Sequence, residues 1–195
     1  MAMLTREEIE GIGFASVGEN VLLSSKASWY GASRIHIGNN VRIDDFCVLS
    51  AGEGGIFIGD FIHVAVFSSL IGAGKMTLNN YANISSRVSI YSSNDDYSGQ
   101  FMTNPMLPAE LTNVRHAPVN IGMHAIIGSG SIILPGVNIG NGVAIGALSL
   151  VKENCDDFFI YAGNPLKKIK SREQNVLELE RSFTLMTGDL KSPKK

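Results

Sequence analysis

The residues best suited to chemistry lie in one polar stretch of the chain, residues 91–120. It holds three prolines, two adjacent carboxylates, Asp95 and Asp96, and one histidine, His116. Carboxylates and imidazoles are the side chains that most often act as general bases. An irregular segment of this length in a compact domain is usually functional or disordered. We therefore predict proton transfer in this segment, and the alternative is that the aspartate pair only forms a turn.

The sequence around this stretch repeats every six residues and must position it. Aliphatic residues recur at Ile121, Ile127, Ile133, Ile139, Ile145 and Val151. Small or β-branched residues follow four places later at Ala125, Ser131, Val137, Val143, Ser149 and Cys155. Six residues turn a helix through about 600°, which would separate the two series, whereas six is a multiple of the strand period of two. Each hexad is therefore predicted to be a short strand followed by a bend.

Glycine follows the aliphatic residue in four of these units, at Gly122, Gly128, Gly140 and Gly146. This placement suits either a positive φ or a close approach of two backbones. Before residue 91 the pattern starts loosely at Val17, Leu23 and Trp29 and tightens at Ile37, Ile43 and Leu49. After a short corner insertion it resumes at Ile58, Val64 and Leu70, and then at Leu78, Ile84 and Ile90. Hexapeptide periodicity is typical of parallel β-helices. The sequence predicts an all-β solenoid of roughly six triangular coils, stacked about 4.8 Å apart.

The repeat defines three parts of the chain. They are an N-terminal helical arm at 1–16, a β-helix domain at 17–165 with a long loop at 91–120, and a C-terminal helix and tail at 166–195. In the arm, Thr5 with Glu8 three residues later is a capping-box pattern that predicts a short helix.

The C-terminal part carries an apolar stripe at helical spacing, Val176, Leu179, Phe183 and Met186. It predicts an amphipathic helix that covers one end of the prism. Ser171 is the expected N-cap, and Gly188 is expected to lie beyond the last turn. The final residues, 191–195, are expected to be a solvated tail.

Composition excludes several classes of protein. A net charge of −2 with 17% charged residues does not favour nucleic-acid binding. The N-terminus lacks the features of a signal peptide, and no apolar run is long enough for a membrane span, so a cytoplasmic location is predicted. Two cysteines, Cys47 and Cys155, form no disulfide framework. The place of Cys155 in the small-residue series predicts a buried free thiol.

The last coils, "IIGSGSIILPGVNIGNGVAIGALSLV", and the following segment "YAGNPLKKIKSRE" resemble one family of enzymes. They are similar to the hexapeptide-repeat, left-handed β-helix acyltransferases, especially galactoside and xenobiotic O-acetyltransferases and their relatives in surface-polysaccharide pathways. The resemblance covers about residues 15–172. It implies a left-handed solenoid, a homotrimer with active sites between subunits, and acetyl-CoA lying along the late coils. It implies no metal.

The resemblance also implies which residues contact the cofactor. Those on the coils and at the exit segment are Gly128, Ser129, Ala147, Gly163, Asn164 and Pro165. Three lysines, Lys152, Lys167 and Lys170, are expected to face the phosphates of the cofactor as point charges. For the glycines the alternative is turn geometry, and for the lysines it is a solvated exit helix.

The general base of these enzymes is typically a loop histidine, in an asparagine-histidine-x-x-x-glycine pattern in the xenobiotic enzymes. Here the matching residues read "NDDYSG", so Asp95 stands in the histidine position. Three interpretations remain open. Asp95 or Asp96 is the base, with a pKa raised by burial and by the neighbouring charge; or His116 is the base, oriented by an aspartate; or the acceptor is an amine that needs no strong base.

Four further residues are candidates for binding the acceptor, Asn83, Tyr91, Asn94 and His63. Two other histidines are less promising: His36 is expected to point outward from a prism face, and His124 to lie in a strand on the cofactor side.

A γ-type carbonic anhydrase uses the same prism with three zinc-binding histidines. The spacing of the histidines here does not match that family, and the large helical region of serine acetyltransferases is absent.

The sequence therefore predicts an acetyl-CoA-dependent acetyltransferase that acts on a carbohydrate hydroxyl. One alternative is an N-acetyltransferase of a nucleotide-linked amino sugar, and another is a non-catalytic hexapeptide-repeat scaffold. The expected partners are a sugar acceptor and acetyl-CoA, without nucleic acid.

Overall fold

A computed structural model of the chain describes residues 2–190, which form mainly short parallel strands. Two α-helices flank them, α1 (Arg6–Gly11) and α2 (Asn175–Leu190), and two 3-10 turns lie at Ala32–Arg34 and Ala109–Leu111. The strands, in chain order, are β1 (Ser16–Val17), β2 (Leu22–Leu23), β3 (Ser28–Tyr30), β4 (Ile35–Ile37), β5 (Arg42–Ile43), β6 (Val48–Ala51), β7 (Ile56–Ile58), β8 (His63–Val64), β9 (Ser69–Gly72), β10 (Met76–Leu78), β11 (Asn83–Ile84), β12 (Ser89–Tyr91), β13 (Ser93–Asn94), β14 (Arg115–His116), β15 (Val119–Ile121), β16 (Ile126–Ile127), β17 (Ile132–Ile133), β18 (Asn138–Ile139), β19 (Ala144–Ile145), β20 (Leu150–Val151), β21 (Phe159–Ala162) and β22 (Lys167–Ser171).

Three sheets form the three faces of a prism, because each coil contributes one strand to each sheet. Face 1 contains β1, β4, β7, β10, β15 and β18. Face 2 contains β2, β5, β8, β11, β16, β19 and β21, to which β22 adds an antiparallel strand. Face 3 contains β3, β6, β9, β12, β17 and β20. The predicted parallel β-helix is confirmed. The described residues form six complete coils and the beginning of a seventh, close to the roughly six predicted, since β21 adds a strand to face 2 after Val151.

The repeat supplies the core of the prism. The six aliphatic residues from Ile121 to Val151 are at most 3% exposed, and the small-residue series beside them is buried as well. The buried hydroxyls of Ser131 and Ser149 both donate to the carbonyl of Gly146. Cys47 and Cys155 are buried free thiols, as predicted for Cys155, and burial raises the pKa of each to about 11.

Coils turn between faces at a residue in the left-handed conformation, three positions after a buried or partly buried residue of the six-residue series. Edge 1, between faces 1 and 2, consists of Asn20, Asn40, Phe61, Tyr81, His124, Gly142 and Phe158, with φ from 53° to 63°. Edge 2, between faces 2 and 3, consists of Phe46, Phe67, Arg87, Gly130 and Leu148, with φ from 58° to 72°. Positive φ is uncommon for bulky side chains. Edge 3 joins face 3 to face 1 and carries the insertions.

The glycines that follow the aliphatic residues have a different role. A Cβ at Gly122 would lie 2.5 Å from the backbone of Gly140, and one at Gly128 would lie 2.5 Å from the amide nitrogen of Ala147. Neither glycine has a positive φ, so the prediction of close backbone approach is confirmed and that of a left-handed corner is wrong.

Gly122→Ala is expected to lower the free energy of unfolding by about 1–3 kcal/mol, because its methyl group would overlap rigid backbone of the next coil. Gly11→Ala is the matched control, since a Cβ there meets nothing within 4 Å. Chemical denaturation of both variants checks the expectation. Equal stability of the two variants would contradict it.

Helix α1 covers the first coil. Its predicted capping box is confirmed: the Glu8 amide donates to the Thr5 hydroxyl at 3.2 Å, and the Thr5 amide donates to the Glu8 carboxylate at 2.7 Å. Ile9 is 1% exposed and packs into the core of the prism.

The C-terminal segment differs from the prediction. Ser171 ends strand β22 and is not an N-cap, since α2 begins at Asn175, and Gly188 lies within α2. Helix α2 lies along edge 1 and does not cover an end of the prism: the Phe183 ring packs edge-on against Phe61. The predicted tail, 191–195, lies outside the described residues. Neither α1 nor α2 has the length and apolarity required to cross a membrane.

Candidate active site

Edge 2 of the late coils gathers the candidate cofactor residues of the solenoid. Gly128 and Ser129 directly precede the corner at Gly130, and Ala147 precedes the corner at Leu148. The amide of Leu148 donates to the Ser129 carbonyl at 2.9 Å, so these positions are stacked one coil above another. The structure therefore brings together on one edge three residues that the sequence singled out separately.

The exit segment continues this edge. The Gly163 amide donates to the Ser149 hydroxyl at 2.9 Å, and its carbonyl accepts from the Leu150 amide at 3.2 Å. The next peptide, Asn164–Pro165, is cis. Gly163 is thus fixed one coil above Ala147, on the same side of the prism.

The candidate lysines are divided between two places. Lys152, which directly follows β20 of face 3, and Pro165 line a cleft of about 270 Å³ at the last coil of the prism. Lys167 and Lys170 are exposed on β22, and Lys170 lines a different cleft with Arg172. A strand, not a helix, therefore presents them.

Lys168, which the sequence analysis passed over, lines the same cleft as Lys152. Its ammonium donates to Asp156 at 2.8 Å and lies 3.5 Å from the centroid of the Phe159 ring. The hydrogen bond between them raises the pKa of Lys168 and lowers that of Asp156. This contact depends on the register of β22, which the hexad pattern does not encode.

The loop residues lie at edge 3. Strands β13 and β14 pair antiparallel and bring Ser93 opposite His116. The Ser93 hydroxyl and Nδ1 of His116 are 2.8 Å apart, and the same hydroxyl accepts from the Ala73 amide at 2.7 Å. Within the described residues the partner of the His116 imidazole is thus a serine, so the predicted orientation by an aspartate does not occur.

The two aspartates have different environments. The Asp96 carboxylate accepts from the amides of Ser98 and Gly99, each at 3.0 Å, and from the Ser98 hydroxyl. Desolvation acts to raise the pKa of Asp96, but these hydrogen bonds outweigh it and lower the pKa below its ordinary value. The prediction of a raised pKa is therefore wrong for Asp96, which forms the turn. Asp95 is exposed.

The candidate acceptor residues are also divided between two edges. Asn83 and His63 are opposite each other on face 2 and lead into edge 2. His63 Nε2 is 2.9 Å from the Asp44 carboxylate, which also accepts from Arg42 at 2.7 Å. Tyr91 ends β12 on face 3, and Asn94 lies in β13, so both belong to edge 3.

One chain therefore carries two half-sites on different edges. Ser86, at edge 2, and Ser93, at edge 3, are separated by face 3, which at about 3.3 Å per residue is roughly 20 Å wide. The Ser86 hydroxyl is 3.2 Å from that of Ser129, next to the cofactor candidates. The candidate base and the candidate cofactor surface do not meet within a single chain.

The remaining histidines are engaged elsewhere. His36 stacks on Phe57 with ring centroids 4.6 Å apart. His124 is not in a strand on the cofactor side, as predicted, but at edge 1, where its Nε2 lies 2.6 Å from the Glu180 carboxylate. Among residues 2–190 no three His, Cys, Asp or Glu side chains cluster closely enough to hold a metal ion.

Sequence reasoning missed the outward residues of edge 2 on the early coils, Phe46, Phe67, Ser86 and Arg87. The third position after each buried aliphatic residue of face 2 locates Phe46, Phe67 and Arg87, and Ser86 directly precedes the last of them. The hexad pattern identifies only residues that point into the prism. The outward residues of edge 2 are therefore recognised only in the stacked coils.

The chain is similar to proteins of known activity. It is 60% identical over 183 residues, 94% of this chain and 95% of the relative, to a dTDP-4-amino-4,6-dideoxy-D-glucose acyltransferase from Escherichia coli. It is 31% identical over 138 residues, 68% of this chain and 66% of the relative, to the putative lipopolysaccharide biosynthesis O-acetyl transferase WbbJ of Escherichia coli K12. A search of protein-family models returned no match.

A solved structure matches the fold closely. AntD, an N-acyltransferase from Bacillus cereus in complex with dTDP and 3-hydroxybutyryl-CoA, superimposes with a TM-score of 0.91 and 46% identity over 95% of this chain and 98% of that protein. With its parallel solenoid and a sugar acyltransferase of 60% identity along nearly its whole length, the chain belongs to the hexapeptide-repeat, left-handed β-helix family of acyltransferases.

Proposed function

We propose that this protein transfers an acyl group from acyl-CoA to the amine of a dTDP-linked amino-dideoxy sugar. The observation that carries the proposal is the 60% identity to the Escherichia coli acyltransferase of dTDP-4-amino-4,6-dideoxy-D-glucose, which extends over 94% of the chain. AntD has been solved in complex with the same amino sugar nucleotide and coenzyme A. Acyl transfer to a sugar was predicted from the sequence, but N-transfer, its alternative, is better supported than O-transfer, since the O-acetyl transferase relative is only 31% identical.

The donor is proposed to lie along edge 2 of the late coils. Ser129, Ala147 and Gly163 form an unbroken line there, and their small side chains leave main-chain groups accessible to an extended pantetheine arm. Lys152 and Lys168, beside Pro165, lie where the phosphates of the cofactor would follow. Both acetyl-CoA and a longer acyl-CoA are proposed as donors, because AntD has been solved in complex with 3-hydroxybutyryl-CoA.

The active form is proposed to be a homotrimer located in the cytoplasm. Its loop residues lie at edge 3 and its cofactor residues at edge 2, so a complete site requires edge 3 of one copy to meet edge 2 of another. Closed cyclic assemblies create such heterologous contacts at every interface. Each interface then holds one site, in which Tyr91 and Asn94 approach the acceptor from one side and Asn83 and His63 from the other.

Asp95 is proposed as the loop carboxylate that acts as general base for the amine. The amine lone pair attacks the thioester carbonyl, an oxyanion forms and is stabilised by main-chain amides of the late coils, and the CoA thiolate leaves. The nitrogen loses a proton, which Asp95 accepts and passes to the thiolate or to water. Among the aspartates of the loop, Asp96 is engaged by its turn, whereas Asp95 is exposed.

AntD has been solved as variants with one aspartate replaced and as variants with one serine replaced, and the two replaced positions are ten residues apart in that protein. The serine–aspartate pairs with that spacing here are Ser85 with Asp95 and Ser86 with Asp96. These variants support a role for a loop aspartate and for a serine at edge 2, where the Ser86 hydroxyl lies 3.2 Å from that of Ser129. His116, tied to Ser93, is proposed to position the base of the loop.

Incubation of the purified protein with acetyl-CoA and dTDP-4-amino-4,6-dideoxyglucose is expected to release free CoA and an equal amount of N-acylated nucleotide sugar. Thiol release and mass spectrometry of the product measure the two. The matched control is the same nucleotide sugar with a hydroxyl in place of the amine, for which we expect no product. Transfer to the hydroxyl compound alone would contradict the proposal and restore O-transfer, and no transfer to either would favour the scaffold.

A further inference from the structure

Edges 1 and 2 both carry stacked aromatic side chains, but only one stack is covered. On edge 1, Phe61, Tyr81 and His124 stack with centroids 5.1 and 4.8 Å apart. Helix α2 covers them, with Phe183 on Phe61 and Glu180 on His124. On edge 2 the rings of Phe46 and Phe67 are 4.9 Å apart and nearly parallel, and each residue is about half exposed, at 48% and 50%. No described helix or strand covers this second stack.

Cations lie at both ends of the Phe46–Phe67 stack. The Lys26 ammonium is 5.3 Å from the centroid of Phe46, and the Arg87 guanidinium carbon is 5.4 Å from that of Phe67. Such contacts fix the cations against the rings while their outer surfaces stay available to an anion. The stack therefore combines an apolar surface with positive charge.

The nearby carboxylates do not cancel this charge. Asp45 lies 3.6 Å from Lys26, and Asp44 is engaged by Arg42 and by His63. Three cations, Lys26, Arg42 and Arg87, stand against these two carboxylates, which leaves a local charge of +1 with His63 neutral. An anionic group with an aromatic portion is the ligand that matches this surface.

The stack is continuous with the proposed transfer site. Along edge 2 the order is Phe46, Phe67, Arg87 and then the corner at Gly130, with Ser86 and Ser129 beside the last two. Coils are about 4.8 Å apart, so Phe46 lies about 14 Å from the level of Ser129. An extended nucleotide sugar laid along this edge would place its sugar at the Ser86 level and its base at the rings.

We infer that Phe46 and Phe67, with Arg87 and Lys26, form the subsite for the pyrimidine nucleoside diphosphate portion of the acceptor. This inference rests on the proposed function and deepens it. The base packs across the exposed ring edges, which is the edge-to-face arrangement that aromatic groups prefer. The diphosphate lies against the guanidinium of Arg87, whose planar fork suits phosphate oxygens. Recognition of the nucleotide is thus separate from the chemistry at Asp95.

Calorimetric titration of the full-length protein with dTDP alone tests the subsite without requiring catalysis. Phe67→Ala is expected to weaken dTDP binding about ten- to a hundredfold, in line with the loss of base–aromatic packing. Arg87→Gln is expected to weaken it about tenfold and to make binding less sensitive to salt, because a charge-assisted contact is lost. Coenzyme A affinity is expected to stay unchanged in both variants.

Phe57→Ala is the matched control. Phe57 is also stacked, on His36, and also carries a cation, the Lys75 ammonium at 4.7 Å, but it lies on face 1. Unchanged dTDP affinity in this variant, with the same sedimentation behaviour as wild type, supports the assignment to edge 2.

Three results would overturn the subsite. The first is equal dTDP affinity in wild type and Phe67→Ala. The second is that Phe67→Ala weakens binding of coenzyme A and not of dTDP. The third is dissociation of the assembly by Phe67→Ala, which would make the stack a contact with a second copy. The proposed function is tested separately, since wild-type turnover of the amino sugar is unaffected by any of these results.

Discussion

Asp95→Asn is expected to lower kcat for transfer to the amino sugar about 100- to 10,000-fold, the range that a positioned general base contributes. The amide retains the size of the side chain but cannot accept the proton that the attacking nitrogen loses. Asp95 is exposed at the end of β13 and is not engaged by the turn that holds Asp96. Steady-state kinetics with saturating acyl-CoA measure the effect.

Asp96→Asn is the control for this variant. An asparagine oxygen can accept the same bonds from Ser98 and Gly99, so the turn is expected to persist and kcat to remain within about threefold of wild type. A large loss in Asp96→Asn with little change in Asp95→Asn would exchange the two roles. If Asp95→Asn raised only KM, the carboxylate would bind the amine without acting as its base.

The parallel solenoid follows from the sequence because its core obeys a strict local rule. An aliphatic residue every sixth position, with a small residue four places later, leaves one arrangement in which all of these side chains are buried together. The same rule correctly placed the thiol of Cys155 inside the prism. Inward positions are therefore predictable from the chain alone.

Outward positions are less predictable, since the rule does not constrain them. Bulky residues such as Phe61 and Phe67 adopt the left-handed corner that the sequence analysis assigned to glycine, while Gly122 is needed because the next coil passes too close for a Cβ. Strand β22 depends on contacts with β21 outside the repeat, so Ser171 was placed at the start of a helix. The positions of residues that face solvent or a ligand can thus be assigned only from the three-dimensional stacking of the coils.

Acyl transfer to a sugar was predicted from the sequence. At one position the sequence differs from the pattern of the xenobiotic enzymes, and this difference bears on the identity of the acceptor. Asp95 stands where the xenobiotic enzymes have histidine, and an amine acceptor was one of three interpretations of that change. The comparisons favour it. An amine is intrinsically the stronger nucleophile, so a carboxylate base is sufficient where a hydroxyl would need more help.

Mixing two inactive variants is expected to restore activity, if the site is shared between subunits. Asp95→Asn disables the loop half-site at edge 3, and Ala147→Trp would block the exposed cofactor edge at edge 2. Each pure protein is expected to be nearly inactive. After the subunits exchange at equal concentrations, about a quarter of the interfaces in random trimers pair an intact loop with an intact edge, so about a quarter of wild-type activity should return.

The fraction of one quarter arises because a site formed across an interface takes its loop from one chain and its cofactor edge from another. In an equal mixture each of these two halves is intact in about half of the chains. If loop and edge instead met within one chain, every chain in the mixture would carry a defective site, and mixing would restore nothing. Denaturing and refolding the two variants separately before mixing is the control for exchange. Recovery of activity would also require that edge 3 of one copy reaches edge 2 of its neighbour, across the width of face 3 that separates Ser93 from Ser86 in the single chain.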